Sequence, residues 1–186
     1  MLKDSFLKYL LLERNYSEKT ILSYGIDLDE FEAYFKGVDD PVEIVFFGDH
    51  QPGLCNDFIK LLNGKGNSGL TEQELENLYK VPFFIWTNYE TDAQKVDVTS
   101  LNYLSTLTLE RANIDLPAYN RFLAELMEKI PAINSRGYYS KKNECFMHVD
   151  EATGDEAKWI KAYNILQYNS MFDEKDRSSL LFPYLK

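Results

Sequence analysis

The sequence predicts an α/β chain, a layered sheet with flanking helices, preceded by a helical hairpin. Three observations predict it. Two strongly apolar, β-prone runs, VEIVFF at 42–47 and VPFFIWTNY at 81–89, are each followed by segments of helical periodicity. The order after residue 40 is then strand, helix, helix, strand, helix, helix, which favours parallel strands covered by helices over a sandwich or a bundle. Before residue 38 the apolar side chains recur at helical spacing.

The elements follow in order. Phe6, Leu7, Leu10 and Leu11 share a face of a helix over 3–13. Ser17 has the side chain of an N-cap for a second helix, which presents Ile21, Tyr24, Leu28, Phe31 and Phe35 and stops near Gly37. VEIVFF, bounded by Pro41 and Gly48, has the continuous apolar character of a strand buried on both faces. After Pro52 and Gly53, residues 55–63 suggest a short helix, and GKGNSG a glycine-rich loop. Thr71 and Glu74 have the spacing of a capping box at the start of TEQELENLYK. Ser100 can cap a helix running to about Asn113, and Pro117 stands where a first-turn proline is welcome in PAYNRFLAELMEKI. Residues 131–155 read as loop with a hairpin, and a last helix runs from Glu156 to about Asn169 with Trp159, Ile160, Tyr163, Ile165 and Leu166.

Composition narrows the function. With 186 residues, 45% of them hydrophobic, the chain is long enough for one ordinary domain with a substantial core. Its 30 acidic residues against 20 basic give a charge of −10, which repels phosphate backbones, so nucleic acid is an unfavoured partner. The same balance suits a chain that meets anionic substrates through a metal ion. Cys55 and Cys145 sit in no zinc-knuckle spacing and outline no disulfide framework. Charges interrupt the apolar N-terminus, so neither a membrane span nor a signal peptide is expected, and the chain as written is expected in the cytoplasm.

The first apolar run ends on Gly48-Asp49-His50, where open α/β sheets carry their reactive groups. Aspartate offers a hard oxygen and neutral histidine a borderline nitrogen, a mixture that suits Zn²⁺ or Mn²⁺ better than Mg²⁺ or Ca²⁺. Further ligands must come from elsewhere. The alternative is a turn in which Asp49 caps the next helix and His50 is solvated.

Five segments occur in series over about four fifths of the chain: YFKGVDDPVEIVFFGDHQPGL, VPFFIWTNYE, SLNYLSTLTLE, YNRFLAELMEKIPAINSRGYY and YNILQYNSMFD. Together, from about Tyr34 to Pro183, they resemble the C-terminal part of the lipoteichoic-acid-synthase-like sulfatases, membrane enzymes of the alkaline phosphatase superfamily. The resemblance implies a partial alkaline-phosphatase-like sheet and makes Asp49 and His50 the family's Asp-His metal ligands. It implies a divalent cofactor, Mn²⁺ first, with Zn²⁺, Mg²⁺ or Ca²⁺ as alternatives. Such an ion activates a threonine nucleophile and screens the phosphate, so that glycerol phosphate passes from a lipid headgroup to a cell-envelope polymer; sulfatase members treat sulfate esters by related logic. The family is membrane-anchored, with its catalytic domain outside the cell.

By the same resemblance, the nucleophile and a carboxylate that completes the metal shell lie far upstream of the pair. Only 48 residues precede Asp49, and Thr20, the one threonine among them, falls inside a predicted helix. Cys55 is followed by Asn56, Asp57 and Phe58, not by a sulfatase-type Cys-x-Pro-x-Arg. The expectation is half a metal site, no catalytic residue, and no activity unless another chain supplies the rest.

The first 36 residues, centred on NYSEKTILSYGIDL, resemble the opening helices of the core-binding domain of Xer-type tyrosine recombinases, which clamp DNA in that family. The recombinase catalytic set is missing, since His50 is followed by Gln-Pro-Gly and His148 by Val-Asp-Glu. The domain expectation is therefore a hairpin over 1–37 and a sulfatase-like α/β domain over 38–186. Two other readings stand beside the enzyme fragment: a non-catalytic interaction module, and a DNA-binding remnant of a recombinase.

Other residues admit two readings each. His148, beside Asp150 and Glu151, is an extra ligand or a loop residue; Asn88 and Tyr89 line a cleft with Asp49 or form a turn. Trp86 is most economically core. Arg111, Arg121 and Arg136 meet anionic headgroups or solvent, and Lys141-Lys142 is too small for a lipid-binding patch.

Overall fold

A computed structural model of the chain describes residues 2–12, 16–50 and 53–183. The chain divides into two compact units, one of Met1–Ile44 with Ile85–Asp92 and one of Val45–Phe84 with Ala93–Lys186. Pro52, which precedes the helix expected over 55–63, lies outside the described residues.

The first unit holds the hairpin of α1 (Leu2–Leu12) and α2 (Glu18–Lys36). Ser17, in extended conformation, caps α2 by accepting the Thr20 N–H at 3.2 Å, and Gly37 ends it by donating its N–H to Tyr34 O. Leu10 is buried, Phe6 meets Tyr24 edge-on, and Lys3 pairs with Asp29. Phe31 and Phe35, one turn apart on α2, both pack edge-on against Trp86, with ring centroids 5.3 and 5.6 Å away.

Asn88 ties down the backbone that leads from the end of α2 into the sheet. Its Nδ2 donates to Phe35 O at 3.2 Å, Val38 O at 3.3 Å and Asp40 O at 3.1 Å, while its Oδ1 accepts the Val42 N–H at 2.8 Å. Tyr89 reaches Glu43 Oε2 through its hydroxyl at 3.0 Å. Asn88 and Tyr89 are therefore structural anchors.

The two apolar runs form β1 (Glu43–Phe47) and β2 (Phe83–Thr87), paired in a two-stranded sheet. Their direction differs from the parallel arrangement expected. Asn88, just past β2, donates to Val42 just before β1, and Gly48, just past β1, donates to Pro82 just before β2. Ends therefore meet starts, which is the antiparallel sense. Burial on both faces is not found either. Phe46 stacks on Phe84 at 5.3 Å, yet the two rings remain 62% and 54% exposed, because nothing among the described residues covers that face.

The second unit carries α3 (Asn56–Asn63), α4 (Glu72–Asn77), α5 (Leu104–Arg111), α6 (Ala118–Lys129), β3 (Gly137–Ser140), β4 (Cys145–His148) and α7 (Gly154–Met171). Gly64, at φ +73°, closes α3 in the left-handed conformation that only glycine adopts cheaply. Thr71 and Glu74 form the capping box of α4, and hydrogen bonds donated to the Glu74 carboxylate by the Lys65 ammonium and by the Thr71 N–H hold its pKa down to about 2. Pro117 takes the N-cap position of α6, one residue earlier than expected. Ser100 does not cap with its side chain; a short 3-10 turn, Leu101–Tyr103, precedes α5, and Ser100 Oγ accepts the Ile133 N–H at 3.0 Å.

The core of this unit is the cluster of Tyr103, Leu123, Leu126, Ile130, Ile133, Tyr138, Ile160 and Tyr163, with Phe122 and Trp159 packed against it. Tyr103 is fully buried and donates its hydroxyl to Ile130 O at 2.8 Å. SLNY is thus a staple: Ser100 and Tyr103 satisfy the backbone that leaves α6. The antiparallel pair β3–β4 sets Gly137 opposite His148 and Ser140 opposite Cys145, the hairpin expected within 131–155.

Two carboxylates are locked onto this hairpin. Glu156 accepts from Tyr138 Oη at 3.1 Å and from Ser140 Oγ at 2.8 Å, and burial together with the neighbouring Glu156 charge pushes the Tyr138 hydroxyl up to about 12. Glu76 is buried against Asn134 Nδ2 at 2.7 Å, and burial raises its carboxyl above the ordinary range. A Cβ on Gly137 would lie 3.0 Å from Met147 O and 3.1 Å from Glu76 Oε1, so this position needs glycine.

Asn88→Ala is expected to lower the unfolding free energy by about 2 kcal/mol in urea titrations followed by tryptophan fluorescence, since it strands the backbone groups that follow α2. Glu76→Gln keeps an acceptor for Asn134 and removes the buried charge. Because the folded pKa of Glu76 lies above the unfolded one, wild type loses this contribution as pH rises through that interval. The melting temperature of Glu76→Gln relative to wild type therefore climbs with pH over that interval, measured by circular dichroism in matched buffers.

Candidate functional site

The site grows from the end of β1. Gly48 donates its N–H to Pro82 O at 3.0 Å, and a Cβ on it would lie 3.1 Å from Val81 Cβ. Only the missing side chain lets the chain stay this close to Val81 before it leaves the strand pair. The next two residues then stand in a loop with both side chains in solvent.

Asp49 and His50 lie side by side. Asp49 Oδ1 accepts the backbone N–H of His50 at 2.8 Å, and Asp49 Oδ2 lies 3.3 Å from His50 Nε2. Their side chains are 81% and 77% exposed, so the pair occupies an open loop. An oxygen and a nitrogen that share one cation at about 2.1 Å each stand roughly this far apart, so the donors suit a common ion. Among the described residues no third His, Cys, Asp or Glu gathers with them. The pair offers two ligands of the three or four that such an ion takes from protein.

The other candidates are accounted for by local structure. His148 Nδ1 accepts the Asp150 N–H at 3.3 Å while the His148 backbone N–H donates to Glu151 Oε2 at 3.2 Å, so this histidine caps the 3-10 turn Val149–Glu151. Arg121 donates to Leu116 O at 2.9 Å, and Arg136 lies 3.9 Å from Glu72. Lys141 donates to Glu128 O. Cys55 and Cys145 are free thiols. Thr20 belongs to the start of α2, its hydroxyl 2.9 Å from Ser17 Oγ. Sequence reading missed the polar cluster of Glu156, Tyr138 and Ser140; residues 140 and 156 are joined only by the fold, and no spacing announces them.

The loop that carries the pair can now be placed among known proteins. Residues 27–114 match the sulfatase family. The sulfatase-like segment thus includes β1, the Asp49-His50 loop, β2 and α5. Residues 4–45 match the phage integrase N-terminal SAM-like domain, and the two matches overlap over 27–45, where α2 runs into β1. Among solved structures the chain is similar to the Streptococcus pyogenes phosphoglycerol transferase GacH in complex with sn-glycerol-1-phosphate. That likeness has a TM-score of 0.50 at 21% identity and covers 83% of this chain. The chain spans 36% of the length of the transferase. No curated protein matches it. The likeness shows the fold, a partial α/β arrangement of the kind the sequence implied. No described helix is long and apolar enough to cross a membrane.

Gly48→Ala is expected to cost about 1–3 kcal/mol through the contact with Val81, because overpacking at a close approach forces the backbone apart. Urea unfolding of the variant beside wild type measures it.

Proposed function

We propose that the chain is part of a metal-dependent enzyme of the sulfatase and phosphoglycerol transferase kind, and that Asp49 and His50 are two of its metal ligands. The observation that supports this reading most directly is the convergence of Asp49 Oδ2 and His50 Nε2 within 3.3 Å, inside the segment that matches the sulfatase family. Held there, a divalent ion, Mn²⁺ first, supplies charge to activate a nucleophile and to screen an anionic ester under attack. Asp49 contributes the anionic donor that makes the loop attractive to the cation, and neutral His50 contributes a nitrogen donor. The substrate class is a phosphate or sulfate ester, such as a glycerophosphate headgroup in cell-envelope polymer synthesis. The nucleophile and the remaining ligands come from a polypeptide segment other than the described one, so the chain alone is inactive. The boundary of this portion with the N-terminal hairpin falls at residues 37 and 38.

The integrase-type match over 4–45 favours a second reading, a DNA-binding remnant, but the excess of acid in the chain opposes it.

Loss of the free Mn²⁺ electron paramagnetic resonance signal on adding the full chain measures binding directly. Saturable binding that vanishes in the Asp49→Ala, His50→Ala double variant is expected. Binding that survives the double substitution, or no binding by wild type, rejects the metal assignment.

A further inference from the structure

We propose that the groove between α1 and α2 is a docking site for a basic amphipathic helix of another polypeptide. The inference is independent of the metal assignment and uses none of its residues. The groove encloses about 400 Å³ and is lined by Leu7, Leu11, Ile21, Leu22, Gly25 and Ile26. Leu22 is 65% exposed, Ile26 49% and Leu11 44%, so a continuous apolar strip faces water on a helix pair whose buried apolar contacts are few. A strip of this shape between two helices is what the apolar face of a third helix fills.

Gly25 points the same way. Glycine in the middle of a helix costs about 1 kcal/mol relative to alanine. Here nothing internal requires it: its φ is ordinary for a helix, and a Cβ would meet only Leu7 Cδ1, at a normal contact distance of 3.6 Å. The missing methyl deepens the groove at its centre and lets a neighbouring backbone approach.

Charge selects the occupant. Glu18 stands at one part of the lining and Asp29 at another, Asp29 being paired with Lys3. The unit formed by Met1–Ile44 and Ile85–Asp92 contains twelve Asp and Glu against five Lys and Arg. A second copy brings the same acidic excess and is repelled, and nucleic acid is repelled for the same reason. A helix with a leucine or isoleucine stripe flanked by lysine or arginine meets both the apolar strip and the acidic surroundings.

The probe is a fluorescein-labelled peptide about five turns long, leucine on one face and lysine on its flanks, titrated with the full chain in fluorescence anisotropy. Saturable binding is expected, weakened by added salt and at least about tenfold weaker for a peptide with glutamate in place of lysine. Gly25→Leu, which fills the groove, and Leu22→Ser, an exposed change that guards against misfolding of the first variant, are each expected to weaken binding by about the same factor with unchanged helical circular dichroism. Equal binding of a scrambled peptide, binding undiminished in both variants, or no binding of the lysine peptide overturns the proposal. So does concentration-dependent self-association abolished by Gly25→Leu, which would place a second copy in the groove.

Discussion

The Asn88 carboxamide is the constraint on which the arrangement of the first unit turns. Around the connection from α2 into β1, three carbonyls and one amide form hydrogen bonds with this one group, and backbone polar groups left unpaired are costly. One side chain answers all four, from a residue more than forty positions away in sequence. Phe31 and Phe35 then bring the apolar side of α2 against Trp86, two residues before Asn88, so polar and apolar contacts fix the same register. That explains why WTNY reads as a single block: the aromatic packs, the amide ties the backbone, and the tyrosine holds Glu43.

A second constraint fixes where the Asp-His pair begins. Gly48 lies close against Val81 and is bonded to Pro82, so the chain cannot turn out of the strand pair before residue 49. An exposed carboxylate and imidazole in a loop contribute little to holding a fold together.

Local signals in the sequence located most elements. Ser17, Gly37 and the Thr71–Glu74 box act on neighbours within four residues, and their outcome was readable from spacing alone. The place of Asp49 and His50 just past the end of β1 was readable for the same reason, as adjacent residues at the end of an apolar run. Strand direction was not. An alternating order of strands and helices suggests parallel strands, but the short helices α3 and α4 return the chain so that the start of β2 meets the end of β1. Nor were Glu76 with Asn134, or Glu156 with Tyr138 and Ser140, whose partners are joined across long loops. His148 drew attention as a possible ligand because its neighbours are acidic, yet those same neighbours make it a cap.

The bare ring pair Phe46 and Phe84 has a consequence for the chain in solution. Among the described residues nothing covers the edges of this strand pair or its aromatic face, which together form a template for intermolecular stacking, and mutual repulsion among like-charged copies opposes it. That repulsion fades as the pH approaches the isoelectric point of about 4.7. Colloidal stability thus rests on net charge, and mildly acidic media remove what opposes contact through this ribbon.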